Sequence, residues 1–301
     1  MTEKKRVIAL GFFDGVHIGH SALLREVLAI AEEKQLIASV ITYDMHPHAL
    51  VTGRSVPLIN SAEDRARLMK SLFGIDDVII LHFDRETSNM PWDEFVCTLA
   101  SEFGAMHLIA GHDHRFGRDG EGNAELLQAK CAELGIGCDI VEPVTHRGEL
   151  SSSTLIRGFL KSGDIASANE YLGHPHVLTD YVRYGYRLGR KLGTPTINMT
   201  FGEGVLVPAY GVYATRVRLD GDGIHLGVTN IGTRPTVSDG TAVTAETHIL
   251  DFQGNLYGHN VQLEFFARIR GEIKFEDTDA LRAQIRRDCD DVREYFRAKQ
   301  L

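Results

Sequence analysis

No stretch of this chain approaches the ~18 consecutive apolar residues that a membrane span needs. The apolar run Val7–Phe13 is short and meets Asp14 at once, so it does not read as a secretory hydrophobic segment. Both absences point to a cytoplasmic protein with no membrane partner. Cysteine is scarce: Cys97, Cys131, Cys138 and Cys289 are all there is, and no two form a C-x-x-C pair. Neither a zinc ribbon nor a dithiol redox motif is suggested, and the four read as reduced thiols. No internal repeat or low-complexity tract is visible. Positive charge is short too, with 32 Lys and Arg against 41 Asp and Glu and a formal net charge of -9. A non-specific nucleic-acid or anionic-membrane binder needs the opposite balance. What remains is ordinary: 43% hydrophobic and 24% charged over 301 residues. That composition argues against disorder and collagen-like architecture. The length alone favours two domains.

The apolar pattern changes its period along the chain. Strand-like runs at Val7–Phe12, Ile37–Tyr43, Val78–Phe83, His107–Ala110 and Gly137–Val141 alternate with helical spacings at His20–Glu33, Glu63–Phe73 and Asn123–Leu134. Such alternation predicts βαβ units and a mostly parallel, Rossmann-like sheet. One helix is predicted over Leu155–Leu172, stopped by Gly173 and Pro175. From Tyr181 to Phe275 short strand-like pieces follow one another, among them Val212–Leu219, Ile224–Thr229, Glu246–Phe252 and Asn260–Ile269. A hairpin turn is predicted at Asp220-Gly221-Asp222-Gly223. This half reads as an antiparallel barrel or sandwich. Leu281, Ile285, Cys289, Val292 and Phe296 then mark a terminal helix capped at Asp277 or Thr278. The fold class is α/β followed by all-β, with a boundary near residues 174–182.

The segment Gly11-Phe12-Phe13-Asp14-Gly15-Val16-His17-Ile18-Gly19-His20 joins the first strand to the first helix. In a parallel sheet that junction binds anions, beyond the strand end and at a helix N-terminus. Gly11, Gly15 and Gly19 permit close backbone approach. His17 and His20 share one face of a first helical turn. The alternatives are loop glycines, or a zinc site lacking both H-E-x-x-H and an obvious third ligand. Ser151-Ser152-Ser153-Thr154-Leu155-Ile156-Arg157 opens a later helix. Its hydroxyls act as caps and, with Arg157, can also hold a phosphate.

The joint pattern F-D-G-x-H-x-G-H resembles the signature of the H-x-G-H nucleotidyltransferases, and S-S-T-x-x-R resembles the segment that pairs with it. The resemblance implies that Gly11, Phe13, Asp14, Gly15, Gly19, Ser153 and Thr154 bind ATP. It makes His17, His20 and Arg157 the residues that act on its phosphates. Gly111-His112-Asp113-His114-Arg115-Phe116-Gly117 is similar to the G-x-[DN]-F-x-F-G segment of prokaryotic FAD synthetases, which puts Asp113 at the nucleotide site. His114 stands where that family usually has Phe. Thr42-Tyr43-Asp44-Met45-His46-Pro47 is similar to its T-F-x-P-H-P loop, with Met45 in place of a proline. On their own, His46, His48, His112 and His114 read as ordinary loop histidines.

No G-x-x-x-x-G-K-[ST] motif and no protein-kinase signature occurs. Instead Gly185, Gly189 and Gly193 recur at four-residue spacing, with Arg190 and Lys191 between them and Pro195 at the exit. Thr196 and Asn198 fall on one face of an extended segment. Two neutral oxygens there suit magnesium beside ATP phosphates. The alternative is a solvated turn. The full string G-x-x-x-G-R-x-L-G-x-P-T-x-N strongly resembles the riboflavin kinase signature. Glu246-Thr247-His248, with Asp251-Phe252 and Tyr257-Gly258 downstream, resembles that family's E-T-H segment. This implies that Gly185, Gly189, Lys191, Gly193, Pro195, Thr196 and Asn198 bind ATP, that Thr196 and Asn198 hold the metal, and that Glu246 is the general base. On a strand Glu246 and His248 face one way and Thr247 the other. Arg268–Phe275 is similar to the family's R-x-E-x-x-F end, and Arg270 is a candidate flavin contact.

Together the resemblances span nearly the whole chain and imply a bifunctional prokaryotic riboflavin kinase/FAD synthetase. Residues 1–178 would be the FMN adenylyltransferase and 179–301 the riboflavin kinase. Riboflavin, FMN, FAD, ATP, ADP and pyrophosphate would be substrates and products, with Mg2+ accompanying ATP. A chain with only the kinase half active, and a flavin-binding regulatory protein with a decayed site, are the alternatives.

Overall fold

The computed structural model describes residues 4–53, 55–184, 193–219, 223–235 and 241–300. The chain divides into two compact units, Met1–Ser153 and Thr154–Leu301.

In the first unit the alternating pattern is realised as β1 (Arg6–Leu10), α1 (Ile18–Lys34), β2 (Ile37–Tyr43), α2 (Pro47–Thr52), α3 (Ala62–Leu68), β3 (Asp77–Leu81), α4 (Arg85–Asn89), α5 (Trp92–Ser101), β4 (Ala105–Gly111), α6 (Ala124–Leu134) and β5 (Gly137–Val141). A short pair, β6 (Thr145–His146) and β7 (Glu149–Leu150), follows. The sheet runs β3-β2-β1-β4-β5, all parallel. Chain order reverses about β1, so the crevice beyond its carboxyl end is where such a sheet binds ligands. Leu24, Val27, Ile30 and Ala31 of α1 repeat at helical spacing and are buried. Ile8, Leu10, Leu99, Leu108 and Leu127 centre the core between the sheet, α5 and α6.

The second unit begins within α7 (Ser153–Ser162), at Thr154, and continues with α8 (Ile165–Leu172). The single helix expected over Leu155–Leu172 is therefore two. Gly163 breaks it at φ +84°, where a Cβ would stand 2.6 Å from the Arg268 side chain, and Asp164 caps α8 by accepting from Ser167 N at 3.1 Å. The strands are β8 (His176–Tyr181), β9 (Thr196–Thr200), β10 (Gly211–Leu219), β11 (Gly223–Pro235), β12 (Thr241–Ile249) and β13 (Asn260–Arg270), and α9 (Thr278–Lys299) ends the chain. The sheet order is β8-β13-β10-β11-β12-β9, antiparallel throughout. Its two edges meet. Asp180 of β8 accepts from Thr200 N at 2.8 Å and from Thr200 Oγ1 at 2.9 Å, and Arg183 N donates to the Asn198 carbonyl. Edge groups left unpaired would invite aggregation; here the seam closes the curled sheet.

Inside that sheet three buried hydroxyls form a chain, Thr215 to Thr229 and Thr229 to Thr247, each 2.8 Å apart. Thr215 also donates to the Gly227 carbonyl at 3.0 Å. A Cβ at Gly227 would stand 2.7 Å from Thr215 Oγ1, so glycine is required there. Outside it, α9 lays Cys289, Val292 and Phe296 over Val212, Val228 and Phe266. Each such burial stabilises by about 1.5–3 kcal/mol. Asp277 caps this helix by accepting from Ala280 N at 2.7 Å, as one of the two predicted positions.

Other departures have local causes. The predicted helix Glu63–Phe73 is α3 followed by a π turn at Met69–Phe73. The predicted strand Glu246–Phe252 ends at Ile249, and Asp251 is left-handed at φ +56°. Helix α5 has no counterpart in the sequence reading, because its buried stripe is only Phe95, Val96 and Leu99. Strand β8 starts at His176, earlier than Tyr181, directly after the glycine-proline stop. The predicted turn residues Asp220, Gly221 and Asp222 lie outside the described residues. No described helix is long and apolar enough to cross a membrane.

Asn169 of α8 fastens the helix to the sheet, donating to the Phe265 carbonyl and accepting from His176 N, both at 2.8 Å. The His176 imidazole beneath it is buried, and neither ring nitrogen has a hydrogen-bond partner. Burial, with the nearby His174, pushes its pKa down to about 3. A group kept neutral in the fold binds fewer protons there than in the unfolded chain. Its contribution is complete above the unfolded pKa near 6.5 and declines as pH falls toward 3. Wild type should therefore lose stability more steeply than His176→Leu between pH 6.5 and 4, by about 1.4 kcal/mol per pH unit. Urea midpoints at pH 7, 5.5 and 4.5 measure this; parallel curves would show that His176 carries no linked proton.

Candidate active sites

In the first unit the chain leaves β1 through an elbow whose backbone is under strain. Phe13 (φ +57°), Gly15 (φ +82°) and Val16 (φ +44°) all lie in the left-handed region. A β-branched residue there is a genuine outlier, costing about 1–3 kcal/mol. The turn is held from several sides. Val16 N donates to the Phe13 carbonyl. The buried Asp14 carboxylate accepts from Ile59 N at 2.8 Å and Asn60 N at 3.4 Å. Ser153 Oγ donates to the Asp14 carbonyl at 2.9 Å. That last bond joins two motifs lying far apart in the sequence. Asp14, expected to meet ATP, thus has its carboxylate engaged by backbone N–H groups of the 59–60 segment.

His17 caps α1. Its Nδ1 accepts from Gly19 N at 3.1 Å, which leaves the proton of the neutral ring on Nε2. Gly19 is needed for this, since a Cβ would stand 3.0 Å from the imidazole. The rings of His17 and His20 stack at 3.6 Å between centroids. His20 has its pKa lowered well below the usual value by burial, then by His17 and Arg65. Its Nδ1 is buried with no partner. Both rings line a cleft of about 490 Å³ that also receives Gly11, Phe13, Asp113 and Ser153. His46 and His114 line the same cleft. The pKa of His114 is pushed down to about 4 by burial, with its ring stacked on Phe116 at 5.8 Å. Thr154 and Arg157 lie on one face of the first turns of α7, in the second unit.

Sequence reasoning missed Arg65. Its guanidinium is fully buried and donates to the Phe12 carbonyl, to Thr42 Oγ1 at 2.9 Å and to the Tyr43 carbonyl at 2.7 Å. Burial pulls its pKa down to about 10 against the opposing pull of Asp14, Glu63 and Asp44. No signal marked it, since a basic residue on a short polar helix reads as solvated.

In the second unit Glu246 stands on β12 directly opposite Asn198 of β9 and Asn230 of β11, and His248 stands opposite Thr196. Thr247 points inward as expected and ends the buried hydroxyl chain. His248 Nδ1 bonds the Pro195 carbonyl at 2.9 Å, tying the loop exit to the same strand. Two cavities share Thr196. One, about 290 Å³, takes in Val182, Pro195, Asn198, Phe252 and Tyr257. The other, about 270 Å³, holds Glu246, Asn230 and Arg270 against apolar Val212, Val228, Phe275, Leu281 and Ile285. Gly193 is left-handed at φ +81°. Gly185, Gly189, Arg190 and Lys191 lie outside the described residues.

Arg270 is gripped by buried Asp288 of α9 through Nε–Oδ1 at 2.8 Å and Nη2–Oδ2 at 2.7 Å, and Gln284 donates to the same carboxylate. Asp288 was missed, although it falls on the buried stripe between Ile285 and Val292. Helical spacing would have flagged a carboxylate there as one needing a partner.

Residues 1–155 match the family model for FAD synthetase and residues 172–296 that for riboflavin kinase. The bifunctional riboflavin kinase/FMN adenylyltransferase of Listeria monocytogenes is 35% identical over 98% of this chain and 94% of its own length. That of Escherichia coli strain K12 is 35% identical over 96% and 92%. A crystal structure described as a macrolide-efflux protein from Streptococcus pneumoniae superposes with a TM-score of 0.84 at 29% identity, covering 97% of this chain and 95% of that one. With two family models on two separately built sites and near-complete coverage of its relatives, the chain belongs to the bifunctional riboflavin kinase/FMN adenylyltransferase family.

Proposed function

We infer that the chain makes FMN from riboflavin and ATP in its second unit, and FAD and pyrophosphate from FMN and ATP at the histidine-lined cleft of its first. The observation that carries this reading is the presence of two separate, differently built sites. One is a strained elbow with stacked imidazoles lining a cleft; the other is a carboxylate on a strand beside Asn198 and Asn230. We assign residues 1–178 to the adenylyltransferase, since α7 carries Thr154 and Arg157, and 179–301 to the kinase.

In the kinase Glu246 takes the proton of the riboflavin 5′-hydroxyl as that oxygen attacks the γ-phosphorus of ATP and ADP leaves. The cavity around Glu246 suits the flavin, with apolar walls for a flat ring and Arg270 at its edge. ATP then belongs across Thr196, in the adjoining cavity. Thr196 and Asn198 would hold Mg2+ with the phosphates. The donor set fits: Thr196 and Asn198 bring neutral oxygens to one face of β9, and Mg2+ usually rides on substrate phosphates with few protein ligands. The ion would supply charge neutralisation on the phosphates.

In the adenylyltransferase a phosphate oxygen of FMN attacks the α-phosphorus of ATP and pyrophosphate departs. No covalent enzyme intermediate is needed, so catalysis is positioning and stabilisation of charge. His17 Nε2–H is a ready donor to the phosphates. His20, kept neutral by its burial, offers a second imidazole without adding a buried charge. Ser153, Thr154 and Arg157 serve the same triphosphate. All four cysteines are free thiols, which suits a cytoplasmic setting.

Replacing both His17 and His20 by Ala should remove FAD formation and spare FMN formation. A single donor of this kind is worth about 2.7–4 kcal/mol of barrier. Glu246→Gln should lower FMN formation by roughly 10²–10⁴-fold and leave FAD formation from supplied FMN unchanged. Chromatography of flavins after incubation with ATP and Mg2+ separates the outcomes. A folded variant of either site that lost both activities would sink the two-site assignment. Chelating Mg2+ with EDTA should stop both reactions, and restored Mg2+ should recover them.

A further inference from the structure

The side chain that touches most of the first site without lining its cleft is Arg65. Its fork reaches the last turns of two parallel strands at once: Phe12, just past β1, and Thr42 and Tyr43, at the end of β2. Thr42 Oγ1 itself donates to the Phe12 carbonyl at 2.8 Å, so the three groups form a closed set. The guanidinium lies 4.2 Å from the centroid of the Phe12 ring, whose centroid is 4.7 Å from that of His46. One buried cation therefore touches Phe12 in the cleft wall and the end of β2, from which the His46 loop departs. On one side is the elbow that carries His17 and His20; on the other is the loop that carries His46.

We propose that Arg65 is a positioning residue for adenylyl transfer, holding the elbow and the His46 loop in a fixed relation and setting the electrostatic environment of His20. The inference rests on the reading that His17 and His20 act on the transferred group. Its geometry half follows from the fork. A guanidinium presents several donors in one plane, whereas an ammonium cannot span the Phe12 and Tyr43 carbonyls in the same way. Its charge half follows from the shared elbow: Arg65 holds the Phe12 carbonyl, and the ring of the next residue, Phe13, lies 5.1 Å from that of His20. The groups that act on His20 are His17 beside it and Arg65 from α3, and those that act on Arg65 are Asp14, Glu63 and Asp44. A cation near an imidazole disfavours imidazolium. Removing it lets His20 take up a proton at higher pH.

The test uses the full chain and three variants, Arg65→Met, Arg65→Lys and Thr42→Val. FAD formation from FMN and ATP is followed from pH 4.5 to 8, with kinase activity and thermal melting measured on the same preparations. Arg65→Met should lower kcat at least tenfold per folded molecule and move the acid limb of the profile to higher pH. Arg65→Lys should keep the limb at its wild-type position and recover part of kcat. Thr42→Val keeps the charge and removes one acceptor, so it should lower kcat about threefold or more with the limb unmoved. It also carries the geometric test if Arg65→Met melts below the assay temperature. Equal losses in both Arg65 variants with an unmoved limb would reduce Arg65 to a structural role and overturn the proposal. So would a Thr42→Val variant with wild-type kcat. Wild-type FAD formation by His20→Ala would instead overturn the reading on which the inference stands, a result separable from every outcome at position 65.

Discussion

A valine held at φ +44° is the constraint around which the first unit is organised. Leaving β1, the chain must turn into α1 within a few residues. It does so by accepting three left-handed residues in four. Strain of this size persists only when its surroundings over-determine it. Here the elbow's own Asp14 carboxylate is anchored on Ile59 N, a serine hydroxyl from the end of the unit holds the Asp14 carbonyl, and a buried guanidinium holds the Phe12 carbonyl. Their arrangement explains why residues of the 59–65 segment and Ser153 belong to one site. The imidazoles that line the cleft are few, and most of the surrounding bonds hold the elbow that carries them.

The second unit aims its groups by register instead. Glu246 meets Asn198 and Asn230 because β12 pairs with β9 and β11 in one alignment only. A slip by one residue would turn Glu246 into the sheet interior and Thr247 out. The buried threonine chain opposes that slip, because a misplaced row would strand hydroxyls with no partner in an apolar interior. The E-T-H segment thus has two different faces, with Glu246 and His248 on the cavity side and Thr247 in the buried hydroxyl chain.

The sequence made the elbow, the hydroxyl-rich start of α7, the strand bearing Thr196 and Asn198 and the alternation of Glu246 with Thr247 legible. Each rests on short-range periodicity or on a motif of adjacent residues. Less legible were groups whose meaning is three-dimensional. Arg65 looks like any basic residue on a short helix until Phe12, Thr42 and Tyr43 are brought to it. Asp288 looks like solvent-facing charge unless its place on the apolar stripe is weighed against the cost of burying it alone. The break at Gly163 was hidden because Leu155–Leu172 keeps one apolar period across it. Asp14 was read by its motif as a ligand contact, and its backbone partners at Ile59 and Asn60 were invisible from sequence spacing.

The seam between Asp180 and Thr200 has one further consequence. The ladder of strand β9 is with β12, which is synthesised well after it. Until Thr241–Ile249 arrives, β9 is an open edge held at most by its bonds with Asp180 and Arg183. Thr196, Asn198 and Glu246 are therefore brought side by side only on the closing of the sheet. A chain cut short before β12 would keep Thr196 and Asn198 in its sequence while presenting them on a raw edge, the kind of surface that recruits other strands.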